Sequence, residues 1–118
     1  MNHEFISLNR NDIPEVTTYE LRDGKDVILV DDELIIKNPV FLQGFLTYQV
    51  SFKNQGEGLC YHGNTIIPTQ SLETFLSRLR KYKQVVRKKR IFCSQINKLI
   101  QLCKDAQKNN ECILHFGL

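Results

Sequence analysis

The chain predicts an α+β domain: an antiparallel β-meander of five or six strands in the N-terminal half, two helices packed on one face, and a short C-terminal strand. Three observations carry this expectation. Short β-branched and aromatic runs alternate with turn residues up to position 67, apolar residues recur at three- and four-residue spacing from 72 to 106, and an apolar run follows at 112–116. With 118 residues, 42% of them hydrophobic and 25% charged, a single domain spanning 1–118 is expected. A chain of that length buries roughly two-thirds of its unfolded surface without disulfides or metals.

Taken in order, residues 5–8 form the first expected strand, ended by Asn9-Arg10-Asn11-Asp12 and by Pro14, which no central strand tolerates. The run Val-Thr-Thr-Tyr-Glu-Leu at 16–21 reads as a second strand, and Asp23-Gly24 as the turn of a hairpin to 26–30. Asp31-Asp32 suggests another short turn into a strand at 33–37, which Asn38-Pro39 ends. The clearest period-two pattern lies in 41–52, where Leu46, Tyr48, Val50 and Phe52 alternate with polar residues. Residues 53–58, with two glycines, are expected as a mobile loop before a strand at 59–61, and His62-Gly63-Asn64 turns the chain into a strand at 65–67.

Pro68 breaks the sheet, and Thr69 is placed to cap a helix with its hydroxyl. Leu72, Phe75, Leu76, Leu79 and Tyr82 form its apolar stripe. The stripe fades at 87–90, resumes with Phe92, Ile96, Leu99, Ile100, Cys103 and Ala106, and ends at Asn109-Asn110. No proline or glycine lies between Pro68 and Gly117, so one bent helix over 70–109 is compatible with the pattern. Two helices are expected, because a helix of ~40 residues is exceptional in a small domain. Residues 112–116 form the last strand, returning beside the meander.

The net charge of +3 conceals a polarised chain. Residues 1–77 carry five Lys and Arg against eleven Asp and Glu, and residues 78–118 carry eleven against two. The resulting balances, −6 and +9, would favour partners of opposite sign on different faces. The longest apolar run is four residues, 27–30, far below the ~20 of a membrane span. The N-terminus lacks the basic start and apolar core of a secretory signal, so a chain that starts here is expected in the cytoplasm, away from membranes. A reducing compartment keeps Cys60, Cys93, Cys103 and Cys112 as thiols, with core packing their expected role.

Several constellations offer candidate chemistry. Cys60-x-His62 and Cys112-x-x-His115 supply a ligand set that zinc accepts. Their spacing is not that of a knuckle, since residues three apart on a strand face opposite ways, and no metal or other cofactor is expected. His3, His62 and His115 are the available bases and the cysteines the nucleophiles, but no nucleophile turn or phosphate loop accompanies them, so the chain is not expected to be an enzyme. The acidic residues Asp23, Asp26, Asp31, Asp32 and Glu33 cluster at two expected turns, which favour Asp for backbone reasons and also present a rim to a basic partner. Segment 78–90 holds eight of the sixteen Lys and Arg. Cations near a helix C-terminus suit the dipole, which accounts for Arg80, Lys81 and Lys83 but less well for the adjacent Arg87, Lys88, Lys89 and Arg90.

The stretch Tyr61-His62-Gly63-Asn64-Thr65-Ile66-Ile67-Pro68-Thr69-Gln70-Ser71-Leu72, continuing to Phe75-Leu76, resembles a hairpin-to-helix joint of some small bacterial immunity proteins. These inhibitors protect a cell from toxins of contact-dependent growth inhibition and related competition systems. The resemblance implies a small cytoplasmic protein that binds a toxin's catalytic domain and does no chemistry; it carries over no contact residue. Two functions follow as expectations. The first is a non-catalytic protein-binding module of the immunity kind, meeting its partner through the acidic turns or through Arg87, Lys88, Lys89 and Arg90. The alternative is a small nucleic-acid-binding regulator that uses segment 78–90 on phosphates.

Overall fold

The computed structural model describes residues 1–37 and 41–118, so the expected stop at Asn38-Pro39 lies outside the described residues. Among the described residues, nine strands and α-helices follow one another: β1 (Asn2–Leu8), β2 (Ile28–Asp31), α1 (Asp32–Ile36), β3 (Leu46–Gln49), β4 (Gln55–Glu57), β5 (Asn64–Ile67), α2 (Leu72–Val86), α3 (Arg90–Lys108) and β6 (Cys112–Phe116). The protein is α+β, as expected. Six antiparallel strands form one sheet in the order β2-β1-β6-β5-β3-β4.

β6 does not join at an edge. It lies between β1 and β5, with Ile6 opposite Leu114 on one side and Ile66 opposite Leu114 on the other. All five of its residues are buried, because a strand covered on both faces reads as a continuous apolar run. On one face Phe5, Val30, Ile67 and Ile113 pack against α2 and α3, whose expected stripes are buried at Leu72, Phe75, Leu76, Leu79, Tyr82, Ile96, Leu99, Cys103 and Ala106. The opposite face carries Ile6, Leu8, Leu114 and Phe116 beneath Ile13, Leu21 and Val27.

That second layer explains one difference from expectation. Residues 16–21 form no strand; Tyr19–Arg22 is a 3₁₀ turn lying over the sheet, with Tyr19 stacked on Phe116 and its hydroxyl donating to the Gly117 carbonyl at 3.0 Å. Covering the face buries more than extending an edge would. Residues 33–37 likewise belong to a helix. The Asp31 side chain accepts from the Glu33 amide at 2.8 Å, Asp32 and Glu33 suit the first turn, and Lys37 pairs with Glu33 one turn on.

β3 stops at Gln49, short of Phe52, because Val50 takes a left-handed conformation with φ 67°. The chain turns there, and Gln55–Glu57, expected as loop, pairs back on β3 with Gly56 opposite Thr47. Residues 59–61 are not a strand; the Leu59 amide donates to the Phe41 carbonyl at 2.9 Å. Thr69 does not cap α2 either, since its hydroxyl donates to the Glu111 carbonyl at 2.7 Å and ties the start of α2 to the entry of β6. Residues 70–109 contain two helices, broken at 87–89 where the apolar stripe lapses. α3 ends as expected: Asn110 takes φ 54° and the Glu111 amide donates to the Ala106 carbonyl at 2.8 Å, satisfying the last turn.

Candidate interaction site at the helical corner

Arg87, Lys88, Lys89 and Arg90 form the corner between α2 and α3, and all four are exposed. Two other cations of segment 78–90 have structural roles. Arg78 donates to the carbonyls of Gln43 and Gly44 at 2.5 and 3.1 Å, and Lys83 lies in the last turn of α2, where a cation suits the dipole. The corner divides: Arg87 is the C-cap of α2, where a cation again suits the dipole, whereas Lys89 and Arg90 open α3. Lys89 occupies the cap position of α3, makes no side-chain capping bond, and no acidic residue lies in the first turn. A helix of nineteen residues carries roughly half a positive charge at this end, so each nearby cation costs about 0.3–1 kcal/mol.

Beside the corner lies a groove of about 290 Å³. Leu34 of α1, Tyr82, Val85 and Val86 of α2, and Phe92 of α3 form its apolar lining; Lys37 comes from α1, and Lys88 and Lys89 from the inter-helix turn. Val85 is 73% exposed and nearby Ile91 72%, large values for aliphatic side chains in regular helices. The Tyr82 hydroxyl donates to the Leu34 carbonyl at 2.9 Å, which fixes α1 as one wall. Burial and the nearby Glu33 carboxylate push that phenol's pKa up. Lys89 sits 5.4 Å from the Phe92 ring centre.

The acidic residues divide. Asp31 and Glu33 line a concavity with Lys88, Lys89, Arg90, Ile91 and Phe92, so this part of the acidic half meets the basic corner within one molecule. Lys37, by hydrogen bond and by charge, holds the Glu33 carboxyl below its usual range, with Lys89 adding to the effect. Asp23 and Asp26 are exposed elsewhere, Asp26 in a groove with Lys25, Gln95 and Lys98 between β2 and α3. Arg87 and Arg90 also reach the outer side of α3, beside Ser94, Asn97 and Lys98. The nine candidate residues therefore do not form one surface.

Asp32 belongs to a cluster that sequence reasoning missed. His3 on β1 and His115 on β6 are fully buried, with His3 Nδ1 2.7 Å from His115 Nε2. His3 Nε2 lies 2.9 Å from the Asp32 carboxylate, His115 Nδ1 lies 3.3 Å from the Thr65 hydroxyl, and that hydroxyl accepts from the Cys60 amide at 2.9 Å. A carboxylate only accepts, so His3 donates from Nε2. With both rings neutral every group is satisfied: Thr65 donates to His115, His115 donates to His3, and His3 donates to Asp32. Burial foremost, then the charge of His3, lowers the His115 pKa to about 3. Hydrogen bonds from Tyr61 and then His3 hold the Asp32 carboxyl below its usual range.

No substrate atom reaches the two rings, both at 0% exposure, so the cluster holds rather than reacts. It joins β1, β5, β6 and the start of α1, and through α1 it supports the wall of the groove. Alternation along β1 places His3 on the face of Phe5, a signal of burial. A partner 112 residues away is not written in that alternation. Cys112 and His115 lie on opposite faces of β6, and the described residues contain no group of three or more His, Cys, Asp or Glu poised for a metal. All four cysteines are free thiols, Cys103 and Cys112 buried, Cys60 and Cys93 half-buried. Burial raises the thiol pKa of Cys103 and Cys112. Among the described residues no helix is long and apolar enough to cross a membrane.

No family model, no curated protein and no solved structure matches the chain.

Proposed function

We propose that this protein is a non-catalytic binding module whose partner is another protein, gripped at the α2–α3 corner, and that its biological form is a cytoplasmic immunity protein neutralising a toxin domain. One observation carries the binding reading: Lys89 and Arg90 stand at the start of α3, which has no side-chain cap and whose dipole they oppose, and Lys88 and Lys89 rim the adjacent apolar groove. An anionic partner turns that arrangement from a cost into a gain. The apolar lining favours protein over nucleic acid, because a phosphate backbone needs charge but no aliphatic surface. Immunity is the more specific step and rests on the resemblance of the 61–76 joint.

A nucleic-acid reading is favoured by a separate feature, the outer groove of α3, where Arg87, Arg90 and Lys98 stand beside Ser94 and Asn97. Charge reversal separates the two. Lys88→Glu, Lys89→Glu and Arg90→Glu together should abolish a stoichiometric protein complex that survives nuclease treatment, and should remove growth protection against a co-expressed cognate toxin domain. Retention of mixed-sequence DNA or RNA that falls steeply with salt, without any protein complex, would establish the alternative. Failure of co-expression to rescue growth would remove the immunity assignment and leave the binding assignment standing.

A further inference from the structure

We infer that the groove between α1 and the α2–α3 corner seats an apolar side chain from an acidic segment of the partner, with carboxylates beside that anchor facing the inter-helix turn. The inference rests on the protein-binding reading and deepens it. The groove holds about 290 Å³, room for a large apolar side chain. The lining is apolar from three helices: Leu34 from α1, Val85 and Val86 from α2, and Phe92 from α3. Tyr82 spends its hydroxyl on the Leu34 carbonyl, so the groove offers apolar surface and little polar demand. A buried anchor in such a pocket, ringed by charge, is the usual layout of a binding hot spot.

The rim sets the flanking charges. Lys88 and Lys89 on the inter-helix turn supply the free rim cations, while Lys37, the C-cap of α1, is paired with Glu33. The nearby acids are engaged: Asp31 caps α1, and Glu33 pairs with Lys37 and lies within the field of Lys89. Lys88, Arg87 and Arg90 form none of the ion pairs seen among the described residues. The uncompensated charge around the groove is positive, and an occupant with acids beside its apolar anchor complements it. A basic or purely apolar segment does not.

The test uses fluorescence polarisation on the whole chain with three labelled peptides and one oligonucleotide. The first peptide carries two leucines between runs of Asp and Glu; the second replaces leucine by serine; the third replaces the acids by lysine; the oligonucleotide is single-stranded DNA of matched charge. The first should bind, with the second at least about tenfold weaker and the third not binding. Val85→Glu, at an exposed position, should weaken the first at least about tenfold with an unchanged melting temperature, and Lys88→Glu should do so in a salt-dependent way. Serine peptide or DNA binding as tightly as the leucine peptide would overturn the inference, as would a dissociation constant above about 1 mM for the leucine peptide. A native protein complex that survives Val85→Glu but not the triple charge reversal would sink this inference alone. Absence of any protein complex would sink the reading beneath it.

Discussion

Val50 is a β-branched residue with φ 67°, a conformation that L side chains with branching at Cβ avoid. Its neighbours hold it there: its carbonyl accepts from both the Thr17 amide and hydroxyl, and its amide donates to the Asn64 carbonyl at 2.9 Å. Left-handed backbone costs about 1–2 kcal/mol, against about 0.5–1 kcal/mol for the extra chain entropy of glycine. Val50→Gly should therefore raise stability by up to about 1 kcal/mol in urea unfolding; a loss would mean that the side chain contributes more packing than its 39% exposure indicates. The buried histidines give a second prediction at this scale. The folded-state pKa of His115, about 3, lies below the ordinary 6.5. The unfolded chain binds the proton first, so the stability that neutral His115 contributes is complete above pH 6.5 and declines as pH falls from 6.5 toward 3, by at most about 1.4 kcal/mol per pH unit. Asp32 acts lower: its depressed carboxyl contributes stability that is lost only as pH falls below 3.8. His115→Gln should flatten the curve between pH 6.5 and 4.5 while lowering stability at pH 7, and a slope unchanged from the parent would refute the assignment.

α3 shows at the scale of an element how binding and folding compete. Its first turn has free amides, a lysine at the cap and no acid. Lys89→Asp supplies a capping acceptor worth about 0.5–2 kcal/mol and a favourable charge for the dipole. It forfeits the contact with the Phe92 ring, worth about 0.5–1 kcal/mol at an exposed site. The net expectation is a higher melting temperature together with weaker partner binding. Equal binding would separate the corner from function. Much at this scale was legible: both long helices follow from their apolar spacing, the break coincides with the lapse of the stripe, and Asn110 marks the end. α1 was misread because three acids before Leu-Ile-Ile look like a turn and a strand. Read as cap and first turn, Asp31, Asp32 and Glu33 announce a helix. β4 and the 3₁₀ turn at Tyr19–Arg22 had no such signal, since both are decided by what lies opposite them.

At the scale of the whole molecule, β6 completes the sheet between β1 and β5. Ile113 is fully buried against the helices, and a cavity there costs about 2–5 kcal/mol. Ile113→Ala should lower the free energy of unfolding by that much, read from one cooperative urea transition, because the last strand links two parts of the chain that otherwise do not pair; two separated transitions would show that they fold independently. The same topology redistributes charge. Residues 1–77 and 78–118 are strongly opposed in sign, yet Asp31 and Glu33 come to rest beside Lys88, Lys89 and Arg90. The molecule therefore does not present one acidic face and one basic face. Fold class, the two helices and the stop of the second at Asn109-Asn110, and the excess charge at 87–90 were determined by the sequence, because each depends on residues within a few positions of one another. Only the tertiary structure decided the central place of β6, the His3–His115 pair, the groove wall supplied by α1 and the division of the acidic residues. Those depend on contacts between residues far apart in the chain, and no local period or propensity records which distant segment will lie alongside.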